Sequence, residues 1–348
     1  MRVTQFVCAA GPVDAVTNQG LAWRSVFSRW GWDGEDYAAH IAPGVRARAL
    51  RPLRGWRGAE REVVVLHYSG HVSGLVEVMR SAPRSLLVSH NVTPARYFWE
   101  FEPLDAARCA LAREQLAALG RDATALAGVS AFNARELGEL SGREVDVIPV
   151  LFDPARLGPA GEGEPPGPPT VLFVGRLAPH KRQDLIIRAF ARLRGAVPDA
   201  RLVLVGTPLN PAFEQALREL AETLAPGAVS FETAGISTER LAAHYRSAHV
   251  FLSLSEHEGF GIPLLEAFHF GVPVVARDAA AVGEVVGEAG VLLAAEDRVA
   301  TVAEVLRIVL ADPELRAELR ERGRRRLRDY DHARTEAVMR SRLEALAA

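Results

Sequence analysis

Short runs of aliphatic and β-branched residues alternate with longer segments of helical periodicity, and this series occurs twice along the chain. Parallel strands need a crossover, usually a helix, between them, so the alternation points to βα units feeding parallel sheets. In the first series strands are expected near Arg2–Ala9, Val63–His67, Ser85–His90, Thr124–Val129 and Val145–Val150, with helices at Gln19–Trp30, Asp105–Leu119 and Asn133–Leu140. In the second, strands are expected near Thr170–Val174, Arg201–Val205, Val229–Glu232, Val250–Leu254 and Val272–Ala276. Its helices fall at Arg182–Leu193, Pro211–Leu224, Thr238–Ser247 and Pro263–Phe270, followed by a charged helical tail from Val299. Between the two series, residues 153–169 hold six prolines and four glycines, sustain neither period and read as a linker. The expected organisation is an α/β domain over 1–152, the linker over 153–169, a second α/β domain over 170–328, and a helix over 329–348 that is a candidate to pack back on the first domain. Two such domains on one linker imply a cleft between them.

Several chemistries are excluded early. Cys8 and Cys109 are too few and too far apart for a disulfide framework or a cysteine metal site, which fits a reducing cytosol. The formal net charge of −2 gives no global field toward nucleic acid or membrane, so any anion site is local. The basic run RERGRRRLRDYDHAR at 320–334 reads as a solvated helix face, with peripheral contact at the inner face of a membrane as the other reading. No apolar run reaches the length of a membrane span, and the first ten residues read as a strand and not as a signal peptide. Neither a Walker phosphate loop, nor G-x-G-x-x-G after the first strand, nor G-x-S-x-G is present. His67 and His71 sit four apart without a neighbouring glutamate or a third ligand, which argues against a metal.

Two segments carry chemistry. In VLFVGRLAPHKRQDLI at 171–186 a strand ends at Gly175 and is followed by Arg176, His180, Lys181 and Arg182. Lys181 is the only lysine in a chain whose other forty basic residues are arginine. A cluster of cations at the carboxyl end of a parallel strand lies where open α/β sheets bind ligands, and a guanidinium with an ammonium suits adjacent phosphates. In SLSEHEGFGIPLLEAFHFGVPVV at 253–275 a strand leads into Gly259-Phe260-Gly261, with Pro263 at a helix start. Bare backbone and the first amides of a helix make an anion site. Glu266 in that helix is placed to accept hydrogen bonds from a diol such as ribose, and Glu258 projects from the loop before it.

The pair of G-R-L-x-x-x-K at 175–181 and E-G-F-G-x-P-x-x-E-A at 258–267 resembles the retaining nucleotide-sugar glycosyltransferases of family four, with their GT-B fold of two Rossmann-like doubly wound domains facing across a cleft. The resemblance implies that Gly175, Arg176 and Lys181 meet the donor diphosphate and that Glu266 holds the ribose. It places Glu258 toward the donor sugar, with Gly259, Phe260 and backbone N–H groups from Gly261 through Ile262 and Leu264 to Leu265 around the distal phosphate. Gly235 and Ile236 match the loop that presents backbone to the base, and His90 in Ser-His-Asn at 89–91 matches a histidine facing the donor sugar. Ser130 and Asn133 match a further family segment, although a helix cap explains Ser130 equally well. The family usually has a Gly-Gly pair in the first loop, where this chain has Gly11-Pro12-Val13-Asp14; proline lacks an amide donor, which puts phosphate contact there in doubt. Gly11, Asp14, Asn18 and Asn91 are the candidate acceptor contacts.

The expected reaction is transfer of a sugar from a UDP-, GDP- or ADP-sugar to a hydroxyl of a sugar, lipid-linked or small-metabolite acceptor, with retention. His90, Arg176, Lys181 and Glu258 are expected at the chemistry, and the cations are expected to do the work of a divalent metal. The residues also leave open a sugar-nucleotide epimerase, a sugar phosphorylase or a non-catalytic nucleotide-sugar binder. The base, the sugar and the acceptor are not legible.

Overall fold

The computed structural model describes every residue except 12–13, 44, 46–49, 54–55, 57, 59–61 and 162. The chain forms two compact units, one of Met1–Trp99, Pro103–Leu151 and Tyr330–Ala348, the other of Glu100–Glu102 and Phe152–Asp329.

Among the described residues of the first unit the strands are β1 (Val3–Ala10), β2 (Asp36–Ile41), β3 (Arg51–Pro52), β4 (Val63–Tyr68), β5 (Ser85–Ser89), β6 (Ala125–Gly128) and β7 (Asp146–Val147). They pair in parallel in the order β3-β2-β1-β4-β5-β6-β7. Helices α1 (Ala15–Arg29), α2 (Leu75–Ser81), α3 (Pro103–Asp122) and α4 (Ala131–Ser141) make the crossovers. Strands β1 and β4 lie in the middle of the sheet with helices on both faces, which is why they read as nearly continuous buried runs. On one face Phe6, Leu66, Leu87, Leu116 and Leu126 form a core.

The second unit repeats the plan. Helices α5 (Gln183–Leu193), α6 (Pro211–Leu224), α7 (Thr238–Ser247), α8 (Ile262–His269), α9 (Val282–Val286), α10 (Val299–Ala311) and α11 (Pro313–Leu327) accompany strands β8 (Thr170–Val174), β9 (Arg201–Val205), β10 (Val229–Glu232), β11 (Val250–Ser253), β12 (Val274–Arg277) and β13 (Val291–Leu293). The parallel order among the described residues is β10-β9-β8-β11-β12-β13. Helix α5 shows the amphipathic rule plainly: Ile186, Ile187, Phe190 and Leu193 are buried, three and four apart, in the core against Phe173 and Leu204.

Three strands were not expected from the sequence. β2 mixes polar and apolar residues in Asp-Tyr-Ala-Ala-His-Ile, β3 has two residues and β13 three, so none has enough period to be seen.

Residues 153–169, expected as a linker, are grouped with the second unit and fastened to it. Arg246 donates to the Pro159 carbonyl at 3.0 and 3.2 Å, and His269 Nε2 lies 2.9 Å from the Gly158 carbonyl. Arg316 and Arg320 both bind the Glu164 carboxylate. Prolines remove ladder donors but leave carbonyls, and arginines supply the missing partners.

Helix α12 (His332–Ala347) is grouped with the first unit. Within that unit Arg340 lies over Trp30, and Arg342 pairs with Asp146 at 2.7 Å. The basic run before it is largely engaged inside its own unit, for example Arg326 with the Val285 carbonyl and Asp329. Among the described residues no helix is long and apolar enough to cross a membrane.

Candidate active site

In the second unit β8 and β11 are adjacent, yet β8 is followed in the chain by β9 on its other side. The strand order reverses between them, and open α/β sheets bind ligands beyond the carboxyl ends of strands at such a point. Both segments singled out in the sequence leave the sheet there, one after β8 and one after β11.

The first loop begins at Gly175, where φ is +153 and the backbone joins the ladder through its amide to the Val205 carbonyl at 2.9 Å. Arg176 is exposed, while its carbonyl accepts from Gln183 Nε2 at 3.0 Å, so a buried glutamine of α5 pins the loop. Pro179–Lys181 form one 3-10 turn, and Arg182 at φ +55 enters α5. A non-glycine residue in that region needs support, and Arg182 has it from Asp184 through two 3.0 Å contacts and from Glu256. His180 is buried and its pKa is pulled down to about 2 by that burial, then by the charges of Lys181, His257 and Arg176, so it is a neutral packing residue.

The second loop lies directly on the first. The Glu256 amide donates to the His180 carbonyl at 2.8 Å, and Lys181 Nζ stands 2.6 Å from Glu258 Oε1. Glu256 also accepts from Arg277 of β12 at 3.2 Å, so one carboxylate joins two arginines. Gly261 has φ +96, and a Cβ there would meet Leu264 Cδ1 at 2.8 Å. Only glycine suits that conformation and that space. Ile262 rather than Pro263 opens α8, because Gly261 turns the chain one residue earlier than the expected start. The Leu264 amide donates to the Gly261 carbonyl at 2.9 Å, and Leu264 and Leu265 are buried.

Glu266 emerges from the first turns of α8, and its Oε2 accepts from the Tyr245 hydroxyl at 2.7 Å. Burial raises its pKa, and the Tyr245 hydrogen bond works against that rise. Tyr245 itself is stacked on Phe270 at 5.3 Å, which locks α7 to α8 and aims the hydroxyl. Gly235 at φ +81 and Ile236 precede α7, whose start is capped by Ser237 accepting from the Arg240 amide at 3.3 Å.

In the first unit His90 follows β5, and its Nε2 lies 2.9 Å from Nδ1 of the fully buried His67. Burial pulls the His90 pKa down to about 3. Asn91 holds φ +86. Asp14, a candidate acceptor contact, caps α1: its Oδ2 accepts from the Thr17 amide and hydroxyl, each at 2.6 Å. That hydroxyl in turn accepts from the Gly11 amide at 3.2 Å, and the Asn18 amide reaches the Asp14 carbonyl at 3.0 Å. Gly11, Asp14 and Asn18 are thus one capped helix start, while Pro12 and Val13 lie outside the described residues. Ser130 caps α4 by accepting from the Asn133 amide at 3.2 Å.

Sequence reasoning missed Tyr245, the Arg182–Glu256–Arg277 network and Gln5, and weighed His67 only as half of a rejected metal pair. Gln5 and His67 did leave a signal, a polar residue inside an otherwise buried strand. Tyr245 left none.

The family described as glycosyl transferases group 1 matches residues 159–326. The group 1 match covers both loops at the switch point, and the glycosyltransferase resemblance read from G-R-L-x-x-x-K and E-G-F-G-x-P-x-x-E-A holds. The chain is 31% identical over 236 residues to the GDP-mannose-dependent alpha-(1-6)-phosphatidylinositol monomannoside mannosyltransferase of Mycolicibacterium smegmatis, covering 62% of this chain and 60% of that protein. It is 34% identical over 220 residues to the D-inositol 3-phosphate glycosyltransferase of Nocardia farcinica, covering 59% and 47%. The matched region thus spans about half of each of these relatives. Among solved structures, Anabaena Alr3699/HepE in complex with UDP and glucose has a TM-score of 0.78 at 15% identity, over 99% of this chain and all of that one. WaaG, a glycosyltransferase involved in lipopolysaccharide biosynthesis, has a TM-score of 0.70 at 17% identity, over 93% and 94%. The two doubly wound sheets are the GT-B fold, which these solved structures share.

Proposed function

We propose that this chain is a retaining glycosyltransferase that moves a sugar from a nucleoside diphosphate sugar to an acceptor hydroxyl, without a metal, in the cytoplasm. The observation that carries the reading is the Lys181–Glu258 pair at the switch point of a group 1 domain, where a lone ammonium is held by one carboxylate beside a glycine-opened helix. A relative named for GDP-mannose dependence and a fold neighbour solved with UDP and glucose support a nucleotide-sugar donor.

The difficult event is departure of the diphosphate while positive charge grows on the sugar. Interactions that strengthen as the leaving oxygens gain charge lower that barrier. Arg176 and Lys181 are the cations for those oxygens, and they take the place of a divalent ion. As the diphosphate arrives, Lys181 exchanges Glu258 for phosphate, and the freed carboxylate turns to the donor sugar. Glu266 keeps one oxygen on Tyr245 and offers the other to the ribose. Gly235 and Ile236 meet the base through backbone. His90 takes the place that the family resemblance gives it, facing the donor sugar, and in this reading it bonds to a sugar hydroxyl. The relatives' names support an inositol-containing or lipid-linked acceptor in glycolipid or glycan synthesis, and a lipid-linked acceptor would bring the protein to the inner face of a membrane.

The test is thermal unfolding against UDP, GDP, ADP and their sugars in the presence of a chelator. A ligand at 100 times its Kd raises stability by about 2.7 kcal/mol. Stabilisation by one diphosphate, followed by chelator-resistant transfer that keeps the donor's anomeric configuration, supports the reading. Failure of every nucleotide, a strict metal requirement, or an inverted product overturns it.

A further inference from the structure

A line of polar side chains crosses four neighbouring strands of the first unit beneath α1. Asp36 stands on β2, Gln5 on β1, His67 on β4, and His90 just after β5, which is also the order of these strands in the sheet. Gln5 Nε2 donates to Asp36 Oδ1 at 2.9 Å and to the Gly20 carbonyl of α1 at 3.1 Å. Gln5 Oε1 lies 2.9 Å from His67 Nε2, and His67 Nδ1 lies 2.9 Å from His90 Nε2. Trp23 of α1 packs edge-on against the His67 ring at 4.8 Å.

The direction of each hydrogen bond follows from chemistry. The Asp36 carboxylate accepts from Arg24, and a main-chain carbonyl can only accept, so both partners on that side of Gln5 require its NH2 group. Turning the amide over would set its oxygen against two oxygens. Gln5 therefore presents an acceptor to His67, whose proton must sit on Nε2. A neutral His67 then accepts at Nδ1, and His90 must donate from its own Nε2. The proton position on His90 is dictated two strands away, by an amide whose orientation is set by a carboxylate.

We infer that Gln5 and His67 are positioning residues that hold His90 in its Nε2–H tautomer, so that its Nδ1 is a hydrogen-bond acceptor for a hydroxyl of the bound sugar. Burial keeps both imidazoles neutral, His67 well below the usual histidine range, so neither gains the second proton that would break the line. The sugar contact rests on the proposed reading of His90, whereas the tautomer rests on the hydrogen-bond geometry alone. This gives work to a buried histidine that the proposed chemistry does not otherwise use.

The experiment is a long-range proton–nitrogen spectrum of the full chain labelled with 15N-histidine, with His90 assigned by its loss in His90→Gln. The expected result is a pyridine-type Nδ1 and a pyrrole-type Nε2 on both rings. In Gln5→Leu and in His67→Phe the His90 signals should become averaged or reversed, and kcat should fall about tenfold, the low end for a lost orienting partner, with a much smaller change in KM. A pyrrole-type Nδ1 on His90 in the unaltered protein overturns the inference and needs no variant, so a Gln5→Leu chain that fails to fold does not protect it. Unchanged His90 signals in His67→Phe, or an altered tautomer with unaltered kcat, overturn it as well. If no donor is turned over by the unaltered protein, the proposed function fails, and the spectrum still decides the tautomer.

Discussion

Lys181 Nζ lies 2.6 Å from Glu258 Oε1, so the only lysine of the chain is held by the first carboxylate of the E-x7-E pattern. The contact exists because β8 and β11 are adjacent at the point where the strand order reverses, which lays the two following loops side by side. Lys181→Ala is expected to lower kcat by a factor of about 100, as for other lost preorganised charges. Fold stability should drop by about 1–3 kcal/mol, since the pair is mostly shielded from solvent and Glu258 is left without this partner. Lys181→Arg should recover only part of the rate, because a planar guanidinium does not reproduce a compact ammonium. Steady-state kinetics with denaturant melts check this, and near-normal turnover of Lys181→Ala would sink the assigned role.

Tyr245→Phe removes the hydrogen bond to Glu266 while leaving the stack on Phe270. A hydrogen bond of this kind contributes about 1 kcal/mol, so donor affinity should weaken roughly fivefold. Burial already raises the Glu266 pKa and Tyr245 opposes the rise, so its loss moves that pKa further up. Donor binding by the variant should therefore fail at a higher pH on acidification than in the unaltered protein. Calorimetric titrations across pH decide it; superimposable profiles count against a ligand role for Glu266.

Acid should weaken the fold through its buried histidines. His90 and His180 have native pKa values of about 3 and about 2, and His67 lies well below the ordinary 6.5. Between those values and 6.5 the unfolded chain binds protons that the native chain does not, so stability rises with pH there. The contribution is complete above about 6.5 and is lost progressively as pH falls toward about 2. Urea unfolding at several pH values measures the slope, and His180→Asn should flatten it for the second unit. A slope unchanged by that substitution would remove His180 from the account.

Gly261→Ala places a Cβ at φ +96 and within 2.8 Å of Leu264 Cδ1. The left-handed backbone alone costs roughly 1–2 kcal/mol for an alanine. Because the same residue is the N-cap of α8, nucleotide affinity should fall together with the melting temperature. A variant with unchanged melting temperature and affinity would show that the turn tolerates a side chain.

Much of this was legible along the chain. Strands β8, β9 and β10 and helices α6 and α7 have the expected bounds, because each is a strong periodic run closed by turn chemistry, such as Asn210 and Ser237 at the two helix starts. Lys181, Glu258 and Glu266 were legible as members of spaced motifs. Tyr245 was not, since a tyrosine inside an amphipathic helix looks the same whether its hydroxyl meets water or a carboxylate. Asp14 is ambiguous for the opposite reason: an aspartate before a helix can cap or bind, and here Thr17 bonds to one of its carboxylate oxygens.

The sequence by itself determined the local terms: which runs alternate, where glycine and proline break them, and which charged residues follow a strand within a few positions. Those depend on near neighbours, and near neighbours are written in order. Only the tertiary structure decided which loops meet, because strand order is a long-range choice. It brought Lys181 to Glu258, set Arg182 and Arg277 on one Glu256, and ran a chain of hydrogen bonds from Asp36 through Gln5 and His67 to His90. Buried polar groups must find partners wherever the fold provides them.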